Sequence, residues 1–369
     1  MPKLVVLSVS AGAGHVRCAE SVVAAAQARG WDARHIDAMD LVPVWFRTLY
    51  VQSYLRMIAR SPALWSYVYH ATNTANTTAL QRFRKLVENL NTRRLETVLA
   101  AEGADYVVCT HFLPAQVASR MTVRGKLKVP VWVVVTDFDL HALWVQPNLR
   151  GYCAAAEEVS WRMRDARLGA KVVVTGIPIS PHFASVASRA ECARELGIDP
   201  TKKTVLLASG GFGVGALDAA AAAILDGVPE ANVLALAGKN AELYAKLSEL
   251  AARWPGRLLP LRFTDHPERV VACADLMVSK PGGLTTSECL AMGLPMVVVS
   301  PLPGQEEHNA DFLLEQGVAL RAYDNTGLVA RVAQLLGGDP ARLKTMADKA
   351  RALGRPRAAD AVLDAVVAG

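Results

Sequence analysis

The 369-residue sequence predicts an α/β protein built from two parallel-sheet domains in tandem. Three observations carry this. Short, continuously apolar, strand-sized runs alternate with helical stretches, the pattern of strands covered on both faces. A stiff junction, Thr175-Gly176-Ile177-Pro178-Ile179-Ser180-Pro181, interrupts the alternation near mid-chain. Beyond it the order of strand, glycine loop and helix starts again, so the chain repeats its own grammar. The length is comfortable for two cores, and 52% hydrophobic against 20% charged residues excludes a disordered chain.

In order, KLVVLSV (3–9) is the first strand, followed by a glycine loop and a helix over His15–Arg29. A second strand over Asp32–Ile36 ends near Asp37. Further strands fall at Tyr106–Cys109, Val131–Val135, Ala154–Ala155 and Val172–Val174. After the junction, Thr204–Ala208 is a strand, Ser209–Gly215 a glycine loop and Ala216–Leu225 a helix. Strands at Val233–Leu236, Leu258–Leu261, Leu276–Val278 and Met296–Val299 complete the second half. In such sheets ligands sit beyond the carboxyl ends of the strands, which places the expected site in a cleft between the two halves. No run is long and apolar enough to span a bilayer, and the N-terminus lacks the extended apolar core of a signal peptide. The six cysteines are widely spaced, with no CxxC pair, and read as reduced thiols in a cytoplasmic protein.

Charge is concentrated. Of the net +6, the segment 42–94 alone carries +7, from Arg47, Arg56, Arg60, Arg82, Arg84, Lys85, Arg93 and Arg94 against Glu88. Seven aromatics, Trp45, Phe46, Tyr50, Tyr54, Trp65, Tyr67 and Tyr69, lie within a 25-residue stretch of it. Cationic charge interleaved with such rings suits a lipid headgroup boundary. It also suits stacking on single-stranded nucleic acid, or a helical subdomain whose aromatics are core. No nucleic-acid module accompanies the segment, so membrane binding is the expectation, with Trp45 and Phe46 inserting and Arg82, Arg84 and Lys85 drawing on anionic lipid.

The richest stretch is 279–309. Pro281, Gly282 and Gly283 form a turn, followed by the hydroxyls of Thr285, Thr286 and Ser287 and by Glu288 on the expected first turn of a helix. Side-chain-poor backbone at a helix N-terminus offers N–H groups and the positive end of the dipole, a seat for a diphosphate. A carboxylate one turn inside suits a ribose diol. An ordinary Pro-Gly turn has the same composition, but the polar run Gly304-Gln305-Glu306-Glu307-His308-Asn309 adds the hydrogen-bonding groups that recognise a polyol. In the first half, Ser10-Ala11-Gly12-Ala13-Gly14-His15 begins like a dinucleotide fingerprint but lacks the third glycine, although Asp37 could serve as a ribose-binding acid. His15 at the mouth of the first strand could take a proton from an attacking hydroxyl, or simply cap and pack. Asp137-Phe138-Asp139 has DxD spacing but reads better as loop acids after a strand. Asp137 and His141 suit the acceptor side of the cleft, and Trp144 could stack on an acceptor or merely pack.

Taken together, SAGAGHVRCAE, TDFDLHALW, ASGGFG, PLRFTD, SKPGGLTTSE and PGQEEHN, in this order over nearly the whole chain, resemble the GT-B glycosyltransferases of the monogalactosyldiacylglycerol synthase type. That group includes processive diacylglycerol glucosyltransferases and, more distantly, the peptidoglycan GlcNAc transferase. The resemblance implies two Rossmann-like domains facing each other across a cleft. Residues 1–178 would bind acceptor and membrane, 179–354 would bind the UDP-sugar, and a helix at about 355–369 would pack back on the first domain. It implies inverting transfer of a hexose from UDP-galactose or UDP-glucose to the free hydroxyl of diacylglycerol, without a metal or other cofactor, at the inner face of the cell membrane. Carried over by residue, His15 becomes the general base with Asp137 as its rival, and Gly14, His141 and Trp144 lie on the acceptor side. Gly210, Gly211 and Phe212 form the donor glycine loop, and Phe263 contacts uracil through its backbone. Gly282, Gly283, Leu284 and Thr285 hold the diphosphate and Glu288 the ribose, while Gln305, Glu306 and Asn309 read the sugar. A UDP-sugar enzyme with a soluble acceptor, an epimerase and a non-catalytic lipid-binding protein of the same fold remain the alternatives.

Overall fold

The structure, a computed structural model of the chain, describes residues 1–73, 87–88, 91–166, 169–208 and 217–369. Its contacts divide the chain into two compact units. The first is Met1–Pro181 with Leu302–Gln305 and Arg357–Gly369; the second is His182–Pro301 with Glu306–Pro356.

The first unit runs β1 (Lys3–Ser8), α1 (Ala13–Ala28), β2 (Asp32–Asp37), α2 (Val44–Arg60), α3 (Pro62–Thr72), α4 (Arg93–Ala101), β3 (Tyr106–Cys109), α5 (Phe112–Val123), β4 (Val131–Val134), β5 (Gly151–Ala154), α6 (Glu157–Asp165) and β6 (Lys171–Val174). Its six strands are parallel in the order β2-β1-β3-β4-β5-β6. Leu4, Val5, Val6 and Leu7 of β1 are all fully buried, because helices cover both faces of a parallel sheet. The chain moves outward from β1 to β2, then returns to place β3 on the other flank of β1. That reversal opens a crevice beyond the carboxyl ends of β1 and β3.

The second unit runs α7 (Arg189–Leu196), β7 (Thr204–Ala208), α8 (Leu217–Gly227), β8 (Asn232–Gly238), α9 (Ala241–Ala251), β9 (Leu258–Arg262), α10 (Pro267–Ala272), β10 (Leu276–Ser279), α11 (Gly283–Met292), β11 (Met296–Val299), α12 (Gln305–Glu315), β12 (Ala319–Ala322), α13 (Asn325–Leu336) and α14 (Pro340–Leu353). Its strand order is β12-β11-β10-β7-β8-β9, again parallel, with the reversal between β7 and β10. The Pro281–Gly283 turn follows β10, so the topology puts it at the reversal. The last helix, α15 (Ala358–Ala368), belongs to the first unit. There Arg29, the C-cap of α1, bridges Asp364 at 2.6 Å and Asp360 at 2.7 Å.

One strand escaped the sequence reading and another was displaced. β12 is only four residues long and includes Arg321, too polar to read as a buried strand. β5 begins three residues ahead of the expected Ala154, at Gly151, where the Trp132 ring lies 2.4 Å from where a Cβ would stand.

Candidate active site

A cavity of about 480 Å³ lies in the first unit, lined by residues that follow the carboxyl ends of β1 and β3. Phe46, Leu49, Tyr50 and Met57 of α2, with Trp65 and Val68 of α3, supply an apolar wall. His15, His111, Asp137, Asp139 and His141 supply polar groups. It is an apolar chamber with a titratable end.

His15 sits in the first turn of α1. Its Nδ1 lies 2.8 Å from the Thr110 carbonyl and 3.1 Å from Thr136 Oγ1. A carbonyl only accepts, so Nδ1 carries the proton of the neutral ring and Nε2 keeps the lone pair. Thr110 also donates through Oγ1 to the His15 carbonyl at 2.9 Å, tying the loop after β3 to the start of α1. Burial pulls the His15 pKa down to about 4, opposed in part by the Thr110 hydrogen bond. His111 follows Thr110 directly, and its ring meets His15 edge to face at 4.6 Å between centroids. Its Nδ1 accepts from Leu113 N at 3.1 Å and so caps α5. The sequence reading missed His111; the signal was its position at the end of β3, immediately before a helix.

The lowered His15 pKa has a sign for stability. Between the ordinary pKa of 6.5 and about 4, the unfolded chain binds the proton and the folded chain does not. Stability contributed by neutral His15 is therefore complete above pH 6.5 and is lost as pH falls toward 4. His111, also held well below its usual value by burial and by His15, acts in the same direction. Thermal unfolding followed from pH 7 to pH 4.5 is expected to show a falling midpoint, with a shallower fall in His15→Phe; equal slopes would refute the assignment.

The other first-unit residues divide by what they touch. Asp137 lines the cavity. His141 also lines it, but its Nε2 faces the Tyr69 carbonyl at 3.1 Å and its Nδ1 accepts from Leu143 N at 3.1 Å, so both nitrogens serve the fold. Trp144 is buried, with its ring 6.2 Å from His15 and 6.1 Å from Phe112. Gly14 is a helical residue of α1, beside His15. Asp139 is buried and paired with Arg162. Asp37 accepts through Oδ1 from Met39 N at 2.9 Å and Ser10 N at 3.2 Å, which ties the end of β2 to the loop after β1.

Phe46 corrects the membrane expectation. It is 4% exposed and forms part of the cavity wall, because the inward face of α2 packs over the sheet end. Trp45 beside it is 58% exposed, and Val44, Leu49, Leu64 and Tyr67 are exposed with it on α2 and α3. Arg47 is paired with Asp40 at 2.9 Å. Arg82, Arg84 and Lys85 lie outside the described residues, as do Gly210, Gly211 and Phe212 of the second unit.

In the second unit α11 opens on Gly282 as its N-cap, which brings no side-chain oxygen to the first N–H groups. Gly283, Leu284 and Thr285 occupy the first turn. Thr286 N donates to the Gly282 carbonyl at 2.8 Å and Ser287 Oγ to the Gly283 carbonyl at 2.8 Å. Ser279 Oγ and Thr286 Oγ1 are buried with no hydrogen-bond partner among the described residues. Glu288 is buried in the second turn, one turn later than the sequence suggested, since α11 begins at Gly283. Glu306 Oε1 lies 3.9 Å from where a Cβ on Gly282 would stand, so this carboxylate neighbours the turn.

Asn309 departs from its expected role. It is fully buried, and its Nδ2 donates to the Pro281 carbonyl at 2.9 Å, so it braces the turn from behind. Gln305 is counted with the first unit and lines its cavity. Gly304 before it has φ +87°, with the Tyr69 ring 2.6 Å from where a Cβ would lie, so only glycine fits. Phe263 is half exposed, and its N–H donates to the Gly238 carbonyl at 2.9 Å. Any backbone contact from Phe263 to a base must therefore use its carbonyl.

Residues 15–179 match the monogalactosyldiacylglycerol (MGDG) synthase family, and residues 215–362 match the glycosyltransferase family 28 C-terminal domain. A processive diacylglycerol beta-glucosyltransferase of Bacillus pumilus is 26% identical over 99% of this chain and 94% of its own length. One from Staphylococcus carnosus is 31% identical over 69% of this chain and 65% of its own. Among solved structures, MurG of Acinetobacter baumannii aligns over all of both chains with TM-score 0.63 and 19% identity. A UDP-glucosyltransferase from Polygonum tinctorium aligns over 100% of this chain and 99% of its own with TM-score 0.67 and 14% identity. The two parallel sheets, each with its ligand-type crevice at a strand reversal, are those of the GT-B glycosyltransferase fold. Within that fold the chain combines a monogalactosyldiacylglycerol synthase domain with a glycosyltransferase family 28 C-terminal domain.

Proposed function

We propose that this protein transfers a hexose from UDP-glucose or UDP-galactose to the free hydroxyl of diacylglycerol. The observation that carries the reading is the apolar chamber of the first unit ending on an imidazole whose Nε2 holds the lone pair. An alcohol on a hydrocarbon body matches such a chamber; a sugar or a charged acceptor does not. Nε2 of His15 takes the hydroxyl proton as the oxygen attacks the anomeric carbon, the bond from that carbon to the diphosphate breaks, and UDP leaves with the electron pair. Asp137, in the same cavity, is the alternative base. The start of α11 seats the diphosphate, since backbone N–H groups and the dipole there offset its growing charge. Glu288 would meet the ribose, and Gln305 and Glu306 the sugar. This chemistry asks for no metal.

Incubation with diacylglycerol vesicles and each UDP-sugar, with the lipids identified by mass spectrometry, tests the reading. A hexosyl-diacylglycerol is expected with one of the two donors. Product on a water-soluble acceptor alone, or epimerised UDP-sugar without transfer, would replace it.

Such an acceptor must be drawn from a bilayer, and α2 has the two faces this needs. Phe46 and Met57 line the chamber, while Trp45 and Leu49 are exposed, Leu49 also reaching the chamber wall. Trp45→Ala with Leu49→Ser is expected to weaken sedimentation with uncharged vesicles by about 30-fold or more, the loss of roughly 2 kcal/mol or more of apolar burial. UDP binding should persist. Unchanged sedimentation would sink the docking role of α2.

A further inference from the structure

We propose that His111 is a positioning residue for the base: its ring holds the His15 imidazole in the orientation that keeps Nδ1 on Thr110 and leaves Nε2 for the acceptor hydroxyl. The inference rests on the reading of His15 as base. A turn of the His15 ring by half a rotation would exchange Nδ1 with a carbon and lose both oxygens now within reach, the Thr110 carbonyl at 2.8 Å and Thr136 Oγ1 at 3.1 Å. Those hydrogen bonds choose the nitrogen. The walls that resist the turn are His111, edge to face at 4.6 Å, and Trp144, tilted at 6.2 Å.

His111 is itself immobilised. Its Nδ1 accepts the Leu113 N–H at the start of α5, and its ring lies 4.1 Å from that of Phe112. It is 4% exposed. Consecutive residues of one loop thus handle His15 twice, Thr110 through its carbonyl and His111 through its ring. The strand order makes this possible, because β1 and β3 are neighbours and the loops that leave them meet. The remaining titratable groups of the chamber are Tyr50, Tyr69, Glu88, Asp137, Asp139 and His141. The rings of His111 and Trp144 flank that of His15.

Two variants separate the ring from the cap. His111→Asn retains a side-chain oxygen able to accept from Leu113 N and removes the ring. His111→Phe retains a ring and removes the cap. With the full chain and diacylglycerol vesicles, His111→Asn is expected to lower kcat by about 10- to 100-fold, the cost of a misplaced catalytic group, with little change in KM for the UDP-sugar. His111→Phe should recover most of that loss while unfolding at a lower temperature. Nitrogen-15 spectra of the histidine rings give a readout independent of turnover. His15 should show the Nδ1–H form in the unaltered protein and in His111→Phe, and averaged tautomers in His111→Asn. An unaltered His15 signature in His111→Asn would overturn the proposal, as would equal losses of kcat in both variants. Absence of any transferase activity in the unaltered protein would count against the base reading, and the spectra would still decide what His111 does to His15.

Discussion

Replacing His15 with alanine is expected to cut kcat by about 10²- to 10⁴-fold, the usual worth of a general base, while UDP binds as before. The loss should fall toward the lower end. A ring with a pKa of about 4 is always neutral at working pH, yet it is a weaker base than one poised near 7. The Thr110 carbonyl offsets part of this by accepting from Nδ1–H, which raises the basicity of Nε2. The same geometry sets the pH profile: kcat/KM should hold as pH falls to about 5, then drop through the His15 pKa of about 4. Asp137→Asn is the companion variant, since Asp137 lines the same chamber. A near-normal kcat in His15→Ala beside a collapsed one in Asp137→Asn would transfer the role.

Replacing Asn309 with leucine, similar in size but without the amide, should weaken UDP binding several-fold and lower the unfolding temperature. The amide is fully buried and its Nδ2 donates to the Pro281 carbonyl at 2.9 Å. Removing the donor strands that carbonyl, at a cost of about 1–3 kcal/mol. The turn it braces leads into Gly282 and Gly283, where α11 begins, so the loosened backbone is the one assigned to the diphosphate. Calorimetry with UDP alone reads this without the acceptor. Affinity equal to that of the unaltered protein would show that the turn holds its shape without Asn309.

How far each feature was legible depended on the range of the interaction that makes it. The buried strands at 204–208 and 296–299 were readable because an apolar run of that length has few other uses. The Gly282 start of α11 was readable because a Pro-Gly-Gly turn before a helix is a local device. Its register was not, and Glu288 moved from the first turn to the second. Phe46 and Trp45 are neighbours with the same composition signal, yet one is core and the other surface. Only the direction in which α2 packs tells them apart, since consecutive helical residues point about 100° from one another.

By itself the sequence determined the α/β class, the two tandem sheets and, through six motifs in order, the glycosyltransferase family. These follow from periodicity and from short turns, which a chain carries within a few residues. Tertiary structure alone decided that His111 meets His15, that His15 bonds a carbonyl 95 residues away, and that Asn309 serves the turn. Such contacts arise where strands distant in sequence lie side by side, and side-chain direction at that junction is set by packing, which no local pattern records.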